Sequence, residues 1–314
     1  MRSGSFRLFR FKGIDVFLHW SWFLVAVFEI QGRTRSYSSI GWNIAEYLAL
    51  FAIVTLHEFG HAFACRQVGG QANRIVLWPL GGVAYVDPPQ RPGATLWSIA
   101  AGPLVNVVLL PILFVAVILT RSVETSLDLR LLLLAIWTIN KWLLIFNILP
   151  VYPLDGGQIL RSLLWFAMGR ARSLMAAAVI GIFGAIGFIG LAIYEQNAWL
   201  GLITFFVLMN CWSGVQQARA LLQMAKLPRR DGFACPICHS SPPIGEYWKC
   251  NQCGQPFDTF ATWAKCPRCS TQFPTSACID CGRPSPMNAW TGFAGGSVPH
   301  MPQTLESTEN PFPK

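Results

Sequence analysis

Long apolar blocks decide what this chain can become. Before about position 215 it holds six stretches near the length that crosses a bilayer: roughly 15–31, 42–66, 95–120, 131–149, 173–194 and 198–215. A span needs about 20 mostly apolar residues, and backbone in hydrocarbon must satisfy its own hydrogen bonds, so each block is expected as a helix. Hydrophobic residues make up 53% of the chain and charged residues 12%, against about 25% charged in an ordinary soluble domain. The expected fold class is an all-α polytopic membrane protein of about six transmembrane helices. Trp20, Trp22, Trp42, Trp97, Trp142 and Trp199 lie near several of the proposed ends, as interfacial aromatics do.

The net charge of +9 would suggest an acidic partner in a soluble protein, but most of the basic residues flank the apolar blocks and read as topology signals. With the N-terminus inside, fourteen Lys and Arg residues fall on the inner segments, and four, Arg33, Arg35, Arg121 and Arg130, on the outer ones. The expectation is a multi-pass protein of the cell membrane with both termini cytoplasmic. Arg2, Arg7, Arg10 and Lys12 precede the stretch from Asp15 to Ile30 as in a secretory signal, but Gln31-Gly32-Arg33 follows instead of a small-residue cleavage site, so the stretch reads as a retained first span. Between the second and third spans, Arg74–Trp78 and Gly82–Val86 are short β-prone runs around Pro79-Leu80-Gly81, which predicts a small β-hairpin at the cytoplasmic face. Three regions follow: a membrane domain over 1–220, a cytoplasmic module over 221–283, and a tail over 284–314 rich in Pro, Ser and Gly that is expected to be disordered.

The second span ends in Leu56-His57-Glu58-Phe59-Gly60-His61, an H-E-x-x-H pattern on an apolar helix. His57 and His61 are one turn apart, so both imidazoles project from one face and can bind a single zinc, while Glu58 lies beside that face where a general base belongs. Ionisable groups deep in a span cost roughly 2.5–3.5 kcal/mol each, which makes a purely structural cluster of three an expensive arrangement. A hydrolytic zinc takes three protein ligands and an open position. Asp155, in Asn147-Ile148-Leu149-Pro150-Val151-Tyr152-Pro153-Leu154-Asp155-Gly156-Gly157, is the candidate third ligand; its alternative is a helix cap at the interface. Pro150 and Pro153 interrupt the helix there, and irregular backbone at membrane depth is tolerated where it lines a protein cavity. Asn106 in the third span is either interhelical glue or a substrate and oxyanion contact, and Asn147 either ties down the Asp155 loop or supports a ligand from behind. His19 reads as an interfacial His satisfied by neighbours, and Cys65 as an apolar filler.

Taken together, His57–His61, the Asn147-to-Gly157 run and Ala101-Gly102-Pro103-x-x-Asn106 resemble the site-2 protease family of intramembrane zinc metalloproteases over roughly residues 10–220. His19-Trp20-Ser21-Trp22 and Pro79-Leu80-Gly81-Gly82 are similar to its six-span branch. The resemblance implies that His57, His61 and Asp155 bind a catalytic zinc and that Glu58 is catalytic. Many relatives of that branch carry nucleotide-sensing modules at the C-terminus; this chain has Cys pairs instead.

Those pairs are Cys235-x-x-Cys238, Cys250-x-x-Cys253, Cys266-x-x-Cys269 and Cys278-x-x-Cys281. In a reducing compartment they read as two structural Cys₄ zinc sites in a double zinc ribbon, with sequential pairing expected: the first pair with the second, the third with the fourth. Gly254 and Gly282 give the backbone room to curl back toward sulfur. Closed sites of this kind suit recognition of a cytoplasmic protein partner. Lys249, Lys265, Arg268 and Arg283 are too few to argue for nucleic acid.

The expected function is cleavage of a membrane-protein substrate within the lipid bilayer, as in regulated intramembrane proteolysis, with one catalytic and two structural zinc ions. A rival reading is a membrane-anchored zinc-ribbon adaptor with a vestigial metal site, which has no reason to retain Glu58. A zinc transporter would want more polar groups within the spans than the sequence offers.

Overall fold

In the computed structural model, which describes residues 4–24, 26, 37–78, 81–122 and 126–291, the chain opens on strands. Strands β1 (Ser5–Phe11) and β2 (Ile14–His19) pair antiparallel around Lys12 and Gly13, both at positive φ. Ile14, Val16 and Leu18 are buried and alternate with half-buried neighbours, the two-residue period of a strand. The expected first span over 15–31 is corrected at its start: residues 14–19 are strand, helical turns begin at Ser21, and residues 27–36 lie outside the described residues. Apolar content alone does not separate a strand buried against a helix from the beginning of a span.

The expected hairpin is present as β3 (Gln71–Trp78) and β4 (Gly81–Asp87), with Pro79 and Leu80 outside the described residues. It is half of a larger sheet. The order is β1-β2-β3-β4, with β2 and β3 parallel and the other neighbours antiparallel, so β4 is an edge strand.

Five helices among the described residues are long and apolar enough to cross a membrane: α1 (Ile40–Gln67), α2 (Pro92–Ser122), α3 (Leu127–Ile148), α4 (Asp155–Tyr194) and α5 (Ala198–Ala225). In its apolar window α1 is 56% buried, against 11–28% for the other four, which identifies it as the interior helix. The others turn large apolar side chains outward, among them Ile112, Phe183 and Ile193, as a helix solvated by lipid does. A break at Gly169, whose φ is +79°, divides α4; the segment after it corresponds to the expected fifth span.

The end of α1 seats the sheet. Gly69 takes a φ of +83° just past the last turn, and a Cβ on Gly70 would fall 2.5 Å from Cys65 Sγ and 2.8 Å from the carbonyl of Asp87. The chain therefore turns back at once, and Ile14, Val16, Ile75 and Leu77 of the sheet pack with Val54, Phe59, Ala62 and Cys65 of α1. That is the half of α1 that carries H-E-x-x-H.

The described residues from Gln223 onward form a second compact unit. Its four Cys-x-x-Cys turns repeat one geometry. In each, the amide of the residue after the second Cys (His239, Gly254, Ser270 or Gly282) donates to the carbonyl of the first Cys, and that residue has positive φ. Gly254 and Gly282 fill the position as expected; His239 and Ser270 fill it without the glycine freedom.

The sulfurs group as Cys235, Cys238, Cys278 and Cys281, and as Cys250, Cys253, Cys266 and Cys269. The expected sequential pairing is therefore corrected to a nested one, with the second site inside the loop closed by the first. Spacing within a turn says which two thiols act together, but not which turns meet. The tail boundary is corrected too: β5 (Ser276–Ala277) pairs with β6 (Pro284–Ser285), and helix α6 (Met287–Thr291) buries Trp290 against Phe260. Arg229 and Arg230, counted above as topology signals, instead pair with Asp280 and Asp258, each at 2.6 Å.

Candidate metal centre

His57, Glu58 and His61 are all buried on α1. Asp155 opens α4, directly after the irregular segment 149–154, with a side chain only 14% exposed. The double glycine allows that placement: a Cβ on Gly156 would lie 2.1 Å from the carbonyl oxygen of Ile148, and one on Gly157 would lie 2.4 Å from the Tyr152 nitrogen.

Three ligand atoms converge. His57 Nε2 is 3.0 Å from Asp155 Oδ2, His61 Nε2 is 3.4 Å from it, and the two Nε2 atoms are 3.1 Å apart. A tetrahedral zinc with bonds of roughly 2.0–2.1 Å spaces its ligand atoms about 3.3–3.4 Å apart, so this triangle fits one ion with a fourth position left open. Behind the ligands, His57 Nδ1 meets Asn106 Oδ1 at 2.5 Å, and His61 Nδ1 donates to the Ser98 carbonyl at 2.9 Å. Acceptors on both Nδ1 atoms leave both Nε2 lone pairs free for the metal, as support from behind a metal ligand does.

Helix α2 comes close enough to touch the ring atoms. A Cβ on Gly102 would stand 2.2 Å from His61 Nε2 and 2.8 Å from His57 Nε2; one on Gly60 would stand 2.6 Å from the Ala101 carbonyl oxygen. Glycine at both positions lets the helices approach to backbone contact.

Glu58 faces the sheet. Its Oε2 accepts the Ala84 amide of β4 at 2.8 Å, and a Cβ on Gly82 would lie 2.2–2.5 Å from its Cγ, Cδ and Oε1. A carboxylate thus sits between the open edge of a strand and the ligand triangle. The sequence indicates the hairpin and the acid separately, and nothing in it ties one to the other.

Among the secondary candidates, Asn106 is in the site and fully buried. Asn147 is half-buried, and no hydrogen bond links it to the Asp155 loop among the described residues. Asn140 of α3, which sequence reasoning passes over, is fully buried and holds Asn106; the one available signal was its amide in the middle of an apolar span. His19 contacts Ser21 and stacks on Trp78 with ring centroids 4.0 Å apart, away from the ligand triangle. Cys65 Sγ points to the Gln71 carbonyl at 3.5 Å and not to the triangle.

In the C-terminal unit the closest cross-turn sulfur pairs are 3.5–3.8 Å apart in both clusters. Tetrahedral Zn–S bonds of about 2.3 Å separate sulfurs by about 3.8 Å, whereas a disulfide needs about 2.05 Å. The Thr271 hydroxyl lies 3.1 Å from Cys269 Sγ. Both clusters suit a closed four-sulfur zinc site.

The sequence profile of Peptidase family M50 matches residues 45–131 and 120–191, which include His57, Glu58, His61, Asn106 and Asp155. The chain is 34% identical over 203 residues to a zinc metalloprotease of Methanocaldococcus jannaschii, covering 65% of this chain and 58% of that one. It is 34% identical over 115 residues to stage IV sporulation protein FB of Bacillus subtilis, covering 36% of this chain and 38% of that one. It therefore spans less than two thirds of the length of these relatives. A solved site-2 protease from Methanocaldococcus jannaschii aligns with 30% identity and a TM-score of 0.49, over 67% of this chain and 95% of that one.

Proposed function

The chain belongs to peptidase family M50, the site-2 protease family, and on that premise we propose that it is a multi-pass membrane zinc endopeptidase that cuts a membrane-embedded protein substrate. The observation that carries the reading is the triangle of His57 Nε2, His61 Nε2 and Asp155 Oδ2 with Glu58 beside it on the same helix.

His57, His61 and Asp155 would hold a zinc ion, which would supply Lewis acidity toward water and the scissile carbonyl. Glu58, beside the ligand triangle, is placed to take a proton from an attacking water and to return it to the leaving amine. Glu58 is not among the three ligand candidates, which leaves its carboxylate for proton transfer. The buried apolar walls from α1 and α2 strengthen every charge interaction inside the site.

A helical substrate segment has its carbonyls engaged and must unwind before cleavage. The β4 edge is suited to receive the unwound strand. By strand alternation the Val86 amide points the same way as the Ala84 amide, toward that open edge. Val86→Pro removes this donor while leaving the β3 ladder intact, and is expected to slow cleavage of a transmembrane reporter; an unchanged rate would remove strand addition from the mechanism.

Both termini are proposed to be cytoplasmic. Setting aside Arg7, Arg10, Arg229 and Arg230, which have acidic partners in the fold, ten basic residues still flank the inner side against four outside. The two Cys₄ clusters are assigned structural zinc and, as closed sites, recognition of a cytoplasmic protein.

The deciding experiment incubates purified full-length protein in detergent with a transmembrane-segment reporter, comparing wild type, Glu58→Gln and a chelator-treated sample. Cleavage by wild type alone supports the protease. Cleavage that survives Glu58→Gln removes the base assignment, and a wild type inert toward every membrane reporter, with metal bound, favours the anchored adaptor.

A further inference from the structure

The two metal-facing imidazoles are held from behind in different ways. The Nδ1 of His61 meets a backbone carbonyl, Ser98 O at 2.9 Å, which can only accept. The Nδ1 of His57 meets a side-chain amide, Asn106 at 2.5 Å, and an amide has an accepting end and a donating end of nearly the same shape. If Asn106 turned over, its NH₂ would face His57 Nδ1, the ring proton would move to Nε2, and Nε2 could no longer bind a metal.

Asn140 removes that freedom. Its Nδ2 donates to the Asn106 backbone carbonyl at 3.0 Å, a contact that only an NH₂ can make, so the NH₂ end of Asn140 is fixed. Its Oδ1 then faces Asn106 at 2.8 Å and requires the NH₂ of Asn106 there. What remains for His57 is the oxygen. Each step leaves one choice, and the chain ends with the proton on His57 Nδ1 and the lone pair on Nε2. Both asparagines are fully buried, so no water competes for either amide.

Resting on the metal reading above, we propose that Asn140 is a positioning residue that acts through Asn106 to set the tautomer of His57 and hence the affinity of the centre for its metal. The simpler role for a buried Asn pair, glue between α2 and α3, predicts lost stability without a specific effect on the metal.

The test is chelator competition on the full-length protein in detergent, loaded with cobalt, whose thiolate charge-transfer absorption reads the Cys sites separately as a control on folding. Asn140→Leu is expected to weaken the His/His/Asp site about tenfold or more, the usual size for loss of a group behind a metal ligand, and to leave the Cys sites unchanged. Asn106→Asp accepts from His57 in either orientation, so adding Asn140→Leu to that variant is expected to bring no further loss. An affinity unchanged in Asn140→Leu, or a loss of equal size in both backgrounds, overturns the proposal. His57→Ala separates the two readings: if the third ion stays bound in that variant, the metal assignment itself fails, whereas loss there with no loss in Asn140→Leu sinks only the role of Asn140.

Discussion

The chain contains two kinds of metal-binding geometry, and they differ in how their ligands are supplied. The membrane centre draws His57 and His61 from one helix and Asp155 from another element almost 100 residues later, and each imidazole is held by a separate group behind it. The Cys clusters are built from four copies of one local turn, each cluster packed in a small aromatic core, Phe233, Phe260 and Trp290 beside one and Phe257 and Phe273 beside the other. In the first, distant elements bring three candidate ligands together and leave a fourth tetrahedral position open; in the second, local turns bring four sulfurs together and close the tetrahedron.

That contrast can be broken most forcefully through the metal itself. Replacing Cys250 and Cys266 by Ser is expected to unfold the surrounding residues, since binding of structural zinc to a small module supplies on the order of 10–16 kcal/mol. His57→Ala is expected to leave the helices folded. Hydrogen exchange over residues 223–291 and over α1 checks both halves, and exchange of α1 as fast as that of an unfolded chain would erase the distinction. Next in size, Glu58→Gln is expected to lower kcat by roughly 10²–10⁴ with the metal still bound, the usual contribution of a general base. Single-turnover cleavage together with metal analysis measures it.

A smaller effect is expected from Gly102→Ala. The added carbon has nowhere to go beside His61 Nε2, and overpacking of this kind costs about 1–3 kcal/mol. Zinc affinity is expected to fall while the helices persist by circular dichroism. The smallest effect sharpens the description of the Cys turns. Gly254→Ala puts a side chain where φ is +71° and is expected to cost about 1–2 kcal/mol, while Ser270→Gly, at φ +59°, is expected to stabilise. Thermal unfolding of the two variants should move in opposite directions.

How much of this was legible in the sequence depended on whether the information was local. One helical turn fixes the facing of His57 and His61, and a carboxylate in a proline-broken span marks Asp155, so the three candidate ligands that the fold brings together were legible from residue type and spacing. Partnership was not. Nothing in Glu58 or Ala84 announces that one accepts from the other, and Asn140 is only a polar residue in a span until Asn106 is found beside it. The β2 strand was hidden inside an apolar block because Ile14, Val16 and Leu18 serve a strand packed on a helix as readily as the beginning of a span. Trp290 lay in a stretch whose Pro, Ser and Gly content suggested disorder; one buried indole was enough to extend the fold.

Nesting of the Cys sites also has a temporal side. A ribosome delivers Cys235 and Cys238 first, yet their partners Cys278 and Cys281 emerge last, after the inner four thiols are all available. The inner site closes a loop of 20 residues, Cys250–Cys269, and the outer one a loop of 47, Cys235–Cys281, a difference of roughly 0.7 kcal/mol in closure entropy. Synthesis and entropy therefore favour the same order: the inner knot ties first and draws the outer strands together, and until the final turn leaves the ribosome the two earliest thiols are the ones left waiting.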